Sequence, residues 1–353
     1  MRLSWERLPQ RRRRGRPVQE LGTYVAAERE DAPNGGAGGG SEMNSQVHVG
    51  AYFSPRSAYV AAPLRAGLAA VLRYPLEGEV GWERIVDPQG MFWRLHQGFT
   101  VQGVRPGRVA VALPPGHFLV RAHVLPALAE ADMRGYLLSQ HRAMSLVPMR
   151  EPEFRVLPLA QEKDRVRAVL VALERDTLLA YLDLWEALGF TVERVEHPLS
   201  ALARAVPALR GGEGGSSGVK AVVVAGAERV LLALYEGGIP VLVRDLPAAS
   251  SEEEEEALVE EIPRTLARLE RFYQGAWGPE WGVGGTVDLV VLFGGEDVRA
   301  SFLETVGDRL AQEYGPRALA LPKVSFERAV LEGLTGAREL TAALASAQGG
   351  ERA

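Results

Sequence analysis

The stretch "AVVVAGAERVLLALYEGG", residues 221 to 238, constrains the fold more than any other part of the sequence. Two apolar runs flank the turn at Gly226, and a glycine pair ends the stretch. This pattern predicts a strand, a glycine turn, a second strand and another turn. The turn at Gly226 either holds the phosphates of a nucleotide or only connects two strands of a sheet.

Composition sets the broad class of the protein. With 353 residues, 46% apolar and 24% charged, the chain is long enough for two packed lobes and typical of a soluble globular protein. A formal net charge of -5 argues against a wholly basic nucleic-acid binder. The absence of cysteine excludes disulfides, cysteine-ligated zinc, iron-sulfur clusters and thiol nucleophiles. No apolar run reaches the roughly 18 residues of a membrane span, and no apolar core follows the basic N-terminal run, so we expect a cytoplasmic protein.

Changes of composition along the chain divide it into five parts. Residues 1–45 pass from "PQRRRRGRP" to "APNGGAGGGSE" and are predicted to be a disordered tail, which either contacts acidic lipid headgroups or RNA or is a solvated or upstream extension. The glycine- and serine-rich segment 211–219 is predicted to be a linker. We therefore expect a first lobe over 46–210 with an inserted subdomain, a second lobe over 220–340, and a flexible C-terminus over 341–353.

Within the first lobe, apolar alternation predicts two pairs of strands. One pair surrounds the turn at Ser54 and Pro55, and the other surrounds the "PPG" at 114–116. Helical spacing follows in "ALAEADMRGYLLSQHRAM". A buried strand, a helix opening near Asp176 and stopping at Gly189, another strand and another helix complete the predicted lobe.

The acidic run at 252–256 could indicate a catalytic or metal site, but the spacing of the apolar residues after it predicts a helix. Apolar residues recur at three- and four-residue intervals after it, at Leu258, Ile262, Leu266, Leu269 and Tyr273. The run therefore predicts an amphipathic helix whose acids lie at the N-terminal end and face solvent, where the helix dipole favours them. Pro263 predicts a kink, or a new helix that begins near it.

Several catalytic motifs are absent from the sequence. There is no Gly-x-Ser-x-Gly elbow, no His-Glu-x-x-His, no Walker A loop and no Gly-x-Gly-x-x-Gly between a strand and a helix. The six histidines show no metal-ligand spacing; His117 and His123 are the nearest pair. Trp277 and Trp281 are interpreted as covering a helix end rather than anchoring a partner. No residue is therefore predicted to be catalytic or to ligate a metal.

Four stretches in a fixed order resemble the type IV pilus assembly protein PilM family, part of the actin-like ATPase superfamily. The first two are "VALPPGHFLVRAHVLPALAEADMRGYLLSQHRAMSLVP" and "VLVALERDTLLAYLDLWEALGFTVERVEHPLSALARAV". The third is "AGAERVLLALYEGGIPVLVRDLP", with a glycine turn, a hairpin and an Arg-x-Leu-Pro exit. The fourth combines "LVEEIPRTLARLERFYQ" with "LVVLFGGEDVRASFLETVGDRL". Together they cover most of 47–336, although 61–103 diverges from the family's pattern.

The resemblance implies an α/β protein with a two-lobed, actin-like (ribonuclease H-like) fold, mixed sheets and a nucleotide cleft between the lobes. In such a cleft two hairpin turns hold ATP phosphates, and an aspartate before each turn positions magnesium or water. Backbone N–H groups can hold phosphate, but its charge also needs a metal, and magnesium prefers carboxylate and water oxygens. The aspartate positions therefore decide whether the site is complete.

Both aspartates are missing. By the resemblance, Tyr52 and Val224 stand at the two aspartate positions, and Pro55 removes one amide donor from the first turn. Ser54 replaces a glycine, and Val230 replaces a threonine that binds phosphate. We expect a vestigial nucleotide cleft, without useful hydrolysis, at Gly50, Ser54, Ser57, Gly226, Ala227, Gly294 and Gly295.

No cofactor is expected to be required, but weak binding of ATP with magnesium stays open as an alternative. In that alternative Glu228, Glu296 or Asp297 would replace the missing ligands. Tighter than low-micromolar binding of a fluorescent ATP analogue would contradict the pseudo-ATPase interpretation.

The resemblance also implies a function and a partner. Members of the family lie at the cytoplasmic face of the inner membrane and bind the cytoplasmic N-terminal peptide of a PilN-like single-span protein. We therefore expect a peripheral scaffold of the pilus platform that contacts other platform proteins and no nucleic acid. The alternatives are an active actin-like ATPase or small-molecule kinase, and a cytoplasmic component of a type II secretion platform, although such components usually continue into a membrane span.

Overall fold

The structure, a computed structural model, describes residues 48–63, 69–144, 146–210, 218–276 and 286–336. The predicted tail at 1–45, the predicted C-terminus at 341–353, and both Trp277 and Trp281 lie outside these ranges. In the described part of the chain, no helix is long and apolar enough to cross a membrane.

The strands in these ranges are β1 (His48–Phe53), β2 (Ser57–Pro63), β3 (Ala69–Pro75), β4 (Arg108–Ala112), β5 (Phe118–Pro126), β6 (Pro152–Glu162), β7 (Arg165–Glu174), β8 (Thr191–Glu196), β9 (Val219–Ala225), β10 (Arg229–Glu236), β11 (Ile239–Pro247), β12 (Val287–Gly294) and β13 (Ala318–Ser325). The α-helices are α1 (Pro88–Gln102), α2 (Glu130–Met144), α3 (Arg175–Ala187), α4 (Pro198–Ala205), α5 (Glu252–Ala276), α6 (Ala300–Tyr314) and α7 (Phe326–Thr335).

Two five-stranded sheets share one connection pattern. The first has the order β3-β2-β1-β4-β8, and the second has the order β11-β10-β9-β12-β13. In each sheet the first three strands in chain order form an antiparallel meander. The last two strands lie on the other side of the first strand and run parallel to it. We call the first sheet with α1, α3 and α4 lobe I, and the second sheet with α5 and α6 lobe II. The repeated order indicates one fold unit used twice.

Helices α4 and α7 lie between the two sheets. Their apolar side chains share one core cluster with β1, β2 and β4 of lobe I and with β9, β10 and β12 of lobe II. On β9, Val222 and Val224 face this cluster, whereas Ala221 and Val223 face a second cluster that includes α5 and α6. Because both faces of β9 are covered, the strand is apolar at every position except Lys220.

An insert between β4 and α3 forms the third sheet, with the order β5-β7-β6, and carries α2. Side chains on β7 alternate between two neighbours, as the period of two in a strand requires. Ala168 and Leu170 pack with Met133 and Leu137 of α2, whereas Val169 joins the apolar cluster of lobe II. The insert is therefore fixed to lobe II by its own β-sheet.

The other face of lobe I is covered by α1 and α3. Phe99 of α1 lies 6.0 Å from Trp185 of α3 between ring centroids, and Trp185 lies 6.1 Å from Phe53 of β1. Asp87 caps the start of α1 by accepting from Gly90 N–H at 2.9 Å, and Pro88 occupies the first helical position. This aromatic layer fixes the end of β1, the strand that leads into the β1–β2 turn.

Most predicted elements of the two lobes are confirmed. The strand pairs around 54–55 and 114–116 are β1 with β2 and β4 with β5, although β4 and β5 belong to different sheets. The expectation of a new helix near Pro263 is wrong, because α5 runs through this residue. Ile262 before the proline and Leu266 after it are both buried against lobe II. Their burial offsets the helix hydrogen bond that Pro263, without an N–H, cannot make.

The predicted linker, 211–219, lies outside the described residues except for its last two positions, and Val219 already belongs to β9.

Candidate functional site

Three turns meet in a cleft between the lobes. They are the β1–β2 turn of lobe I and, from lobe II, the β9–β10 turn and the segment that follows β12. Ser54, Gly226, Ala227 and Gly295, four of the residues assigned from the sequence to a vestigial nucleotide cleft, line this cleft. That they bind a nucleotide stays a prediction. The volume of the cleft is about 80 Å³, which is well below the roughly 300 Å³ at which pockets for drug-sized ligands begin.

The β1–β2 turn is hydrogen-bonded to itself. Ser54 N–H donates to the Ser57 carbonyl at 2.9 Å, and Ser57 N–H donates to Ser54 Oγ at 3.0 Å. Pro55, between them, has no N–H. The Ser57 side chain is buried and accepts from Arg73 Nε at 2.9 Å, so its hydroxyl is directed to β3. The turn therefore offers a phosphate few free amide donors.

Glycine is required in the β9–β10 turn by close backbone approach. Gly226 N–H donates to the Arg229 carbonyl at 2.9 Å, and a Cβ on Gly226 would lie 2.7 Å from that carbonyl oxygen. Gly295 N–H donates to the Ala225 carbonyl at 2.8 Å, which joins the third turn to the second. The two lobe II turns thus form one hydrogen-bonded unit.

Gly50 is required by helix packing, and Gly294 also lies against a helix, where the atoms nearest to an added Cβ belong to a leucine side chain. A Cβ on Gly50 would lie 2.8 Å from Thr335 Cγ2 of α7, and a Cβ on Gly294 would lie 2.3 Å from a methyl group of Leu303 in α6. Both glycines let a helix approach a strand closely. Their role in ligand binding stays a prediction.

Tyr52 and Val224, at the two positions of the expected aspartates, close the floor of the cleft. The Tyr52 ring stacks on Tyr59 at 6.1 Å and meets Phe326 of α7 edge-on at 5.8 Å. Both residues belong to the apolar cluster between the sheets. Burial, with a smaller effect of Glu327, raises the pKa of the Tyr52 hydroxyl, so it stays protonated at neutral pH.

Arginines of lobe I pair with carboxylates of lobe II across the cleft. Arg56 Nε lies 2.9 Å from Glu228 Oε1, and Arg73 Nη2 lies 2.7 Å from Asp297 Oδ2. Arg73 Nη1 also lies 3.9 Å from Glu296 Oε2, and the Arg73 guanidinium packs over the Tyr59 ring, 5.7 Å from the ring centroid. The three carboxylates named in the sequence as alternative magnesium ligands are therefore already paired with protein cations.

These residues do not fit magnesium with a triphosphate. Magnesium needs hard oxygen ligands in near-octahedral geometry, whereas the carboxylates here face guanidinium groups. In the described ranges, no group of three or more histidine, aspartate or glutamate side chains is arranged to hold a metal. The paired carboxylates, the self-bonded first turn and the small volume all disfavour such a ligand.

Glu327, at the start of α7, is a buried carboxyl in the cleft that the sequence reasoning missed. Its side chain accepts from Glu296 N–H at 3.2 Å, and its residue is 9% exposed. Burial, together with the nearby Glu296 carboxylate, raises the pKa of Glu327 from 4.5 to about 7. The sequence signal was "SFE", because Ser325 caps α7 and places an acid in its first turn.

Replacing Glu327 with glutamine is expected to stabilise the protein at high pH only. Between pH 4.5 and about 7 the unfolded state loses the Glu327 proton while the folded state keeps it, so the free energy of unfolding of the wild type falls as pH rises. Glu327→Gln removes this loss. We expect the variant to be more stable by about 3 kcal/mol at pH 8 and nearly equal at pH 4.5.

Urea unfolding at both pH values measures the Glu327→Gln effect. Glu304→Gln, at an exposed position on α6, is the control and is expected to change stability by less than about 0.5 kcal/mol at either pH. An equal gain for Glu327→Gln at pH 4.5 and pH 8 would contradict titration of this carboxyl.

Comparison with known structures identifies the fold. Two lobes of one duplicated strand order, facing each other across a cleft of hairpin turns, form the actin-like fold. The chain is similar to the structure of a PilM-PilN type IV pilus biogenesis complex, with a TM-score of 0.59 and 16% identity over 82% of this chain and 97% of that chain. The expected two-lobed, mixed-sheet fold is therefore confirmed.

Two further structures share less of the geometry. The cytoplasmic domain of EpsL, an inner membrane component of the type II secretion system of Vibrio cholerae, has a TM-score of 0.46 and 13% identity over 81% of this chain and 94% of that chain. MreB 5 of Spiroplasma citri bound to AMPPNP has a TM-score of 0.48 and 9% identity over 87% and 99%. No protein-family model and no curated protein matches the sequence.

Proposed function

We propose that this protein is a scaffold of a type IV pilus assembly platform that binds the cytoplasmic N-terminal peptide of a PilN-like single-span membrane partner. In this proposal it lies in the cytoplasm at the inner face of the cell membrane, contacts other platform proteins and binds no nucleic acid. Its attachment to the membrane is peripheral, through the partner.

The observation that carries the proposal is the fold similarity to the PilM-PilN complex, which extends over 97% of that chain. The order of the four resembling stretches supports it independently, because that order was read from the sequence without the fold. Peptide capture needs a groove with apolar pockets and free backbone groups, and it needs no hydrolysis.

The proposal has a second half, which is that the protein hydrolyses little or no ATP, and the cleft supports it. An ATPase stabilises phosphate charge in the transition state with a metal and positioned donors. By the resemblance, Tyr52 and Val224 stand at the aspartate positions, and the neighbouring Glu228 and Asp297 are paired with arginines. Binding of a fluorescent ATP analogue and magnesium more tightly than about 5 μM would contradict the interpretation of the cleft as a vestigial nucleotide site, which supports this half.

Binding of the partner's peptide tests the scaffold directly. A fluorescently labelled N-terminal peptide of the PilN-like protein from the same genome is expected to bind with a Kd below about 50 μM, or about -6 kcal/mol, in an anisotropy titration. A scrambled peptide of the same composition is the control, because it keeps the charge and loses the order of side chains.

Three results would redirect the proposal. Equal binding of both peptides would overturn peptide recognition. Preference for the cytoplasmic peptide of a type II secretion partner would reassign the platform. Turnover of ATP above about 1 s⁻¹, within the ordinary range of enzymes, would favour the alternative of an active ATPase or kinase.

A further inference from the structure

We infer that two interlobe ion pairs, Arg56–Glu228 and Arg73–Asp297, take the place of a metal-bound nucleotide as the polar link across the cleft, between lobes that the apolar cluster around α4 and α7 already joins. We call these two pairs the latch. The inference goes beyond the proposed function, because it concerns how the cleft closes whether or not the chain binds a peptide. It rests on where the four side chains lie.

The first pair joins the two hairpin turns directly. Arg56 belongs to the β1–β2 turn and Glu228 to the β9–β10 turn, and Arg56 Nε lies 2.9 Å from Glu228 Oε1. The residues are 172 positions apart in the chain. These are the two turns that the resemblance assigns to the phosphates of a nucleotide. Here a cation of one lobe and an anion of the other satisfy each other.

The second pair is the better organised of the two. Arg73 donates from Nη2 to both oxygens of Asp297, at 2.7 and 3.0 Å, and from Nε to Ser57 Oγ at 2.9 Å. The Tyr59 ring supports the guanidinium from below at 5.7 Å. These contacts fix the planar guanidinium, so less side-chain freedom is lost when the lobes meet.

A third contact between the lobes is made by two residues that line the same cleft. The Arg229 guanidinium lies 5.4 Å from the Trp82 ring, while Asp245 of lobe II holds Arg229 at 2.7 Å. Trp82 belongs to the segment between β3 and α1, and a Cβ on Gly116 would lie 2.3 Å from its Nε1. An aromatic ring of lobe I therefore receives a cation of lobe II, in addition to the latch.

The strength of the latch follows from its exposure. Its four side chains are 34% to 56% exposed, and exposed pairs contribute little individually and weaken in salt. Together the two pairs are expected to raise the ratio of closed to open molecules about fivefold. The latch is therefore reversible and sensitive to salt, whereas closure by a nucleotide would depend on nucleotide concentration.

Distances between spin labels on the two lobes test the latch. The chain has no cysteine, so Gln102→Cys on α1 and Gln312→Cys on α6, both exposed, give two unique label sites. In this background Arg56→Ala with Arg73→Ala is expected to raise the open population about fivefold, and so is raising NaCl from about 0.05 M to about 0.5 M. Saturating Mg·ATP is expected to leave the wild-type distances unchanged.

A matched control removes arginine pairs of similar exposure within one lobe. Arg264→Ala with Arg268→Ala breaks the pairs with Glu260 and Glu261 on α5 and is expected to leave the distances unchanged. Glu228→Gln with Asp297→Asn is a second latch variant that keeps side-chain volume, and thermal unfolding verifies that each variant is folded.

A shift of the wild-type distances by Mg·ATP would overturn the inference, as would latch variants that match the control. Neither result bears on peptide binding, which the anisotropy titration measures separately.

Discussion

Replacing Gly333 with alanine is expected to lower the free energy of unfolding by about 3 kcal/mol. Gly333 lies in α7 where this helix crosses α4, and a Cβ there would lie 1.9 Å from the Ala201 carbonyl oxygen and 2.6 Å from its carbon. The obstacle is helix backbone, which cannot move aside as a flexible side chain could. The two helices must separate, and the apolar cluster between the sheets loses contacts.

Gly135→Ala on α2 is the matched control for this prediction. Gly135 is also inside a helix, but nothing lies within 4 Å of a Cβ at this position. Alanine there is expected to stabilise the protein by roughly 0.5 to 1 kcal/mol through helix propensity alone. Urea unfolding measures both variants, and a stabilising Gly333→Ala would disprove the close crossing of α4 and α7.

Replacing Arg167 with methionine is expected to cost about 3 kcal/mol. Arg167 on β7 of the insert pairs with Glu236 of lobe II, and Tyr273 of α5 donates to the same carboxylate at 2.5 Å. The arginine side chain is only 8% exposed and the glutamate 20%. Methionine replaces the stem of the arginine but leaves a largely buried carboxylate without its guanidinium, which is the costly way to break such a pair.

An exposed pair in the same insert separates the effect of burial from the effect of charge. Arg134 of α2 lies 2.8 Å from Glu153 of β6 and is 48% exposed. Arg134→Ala is expected to cost less than about 1 kcal/mol. Urea unfolding measures both, with hydrogen exchange on β7 reporting whether the insert loosens first. Equal losses would mean that the buried network does not fix the insert to lobe II.

The local pattern of the sequence was enough to predict most elements of both lobes. The two apolar runs around Gly226 are β9 and β10, and the predicted helical positions from Leu258 to Tyr273 lie on α5. These predictions succeeded because strand and helix periodicity, turn glycines and burial agree there. Only the alternative of a new helix near Pro263 was wrong, since tertiary burial of α5 outweighs the local penalty of a proline.

β3 and α1 were not predicted, although α1 has a readable signal. Met91, Leu95 and Phe99 recur at every fourth position and are all buried. The segment 61–103 diverges from the family's pattern, so the resemblance gave no guide to α1, and only its periodicity predicts the helix.

The partners of the cleft carboxylates could not be predicted from one sequence. Arg73 and Asp297 are 224 positions apart, and their pairing depends on how two lobes close. Periodicity places a residue on a face of its own element but carries no information about which distant element that face meets. The sequence could therefore place Tyr52 and Val224 where the resemblance leads one to expect aspartates, but it could not show that Arg56 and Arg73 pair with carboxylates of the other lobe.

The position of α7 changes what counts as a domain in this protein. In chain order α7 follows the last strand of lobe II. It nevertheless packs closely on β1 of lobe I, where Gly50 makes room for Thr335. Arg204 of α4 donates to the Gly333 carbonyl of α7 at 2.9 Å. Each half of the chain thus supplies one of the two helices that separate the sheets. Cutting the chain between 210 and 218 would leave each fragment with an apolar face that only the other can cover, so the lobes are a single folding unit despite the glycine-rich boundary between them.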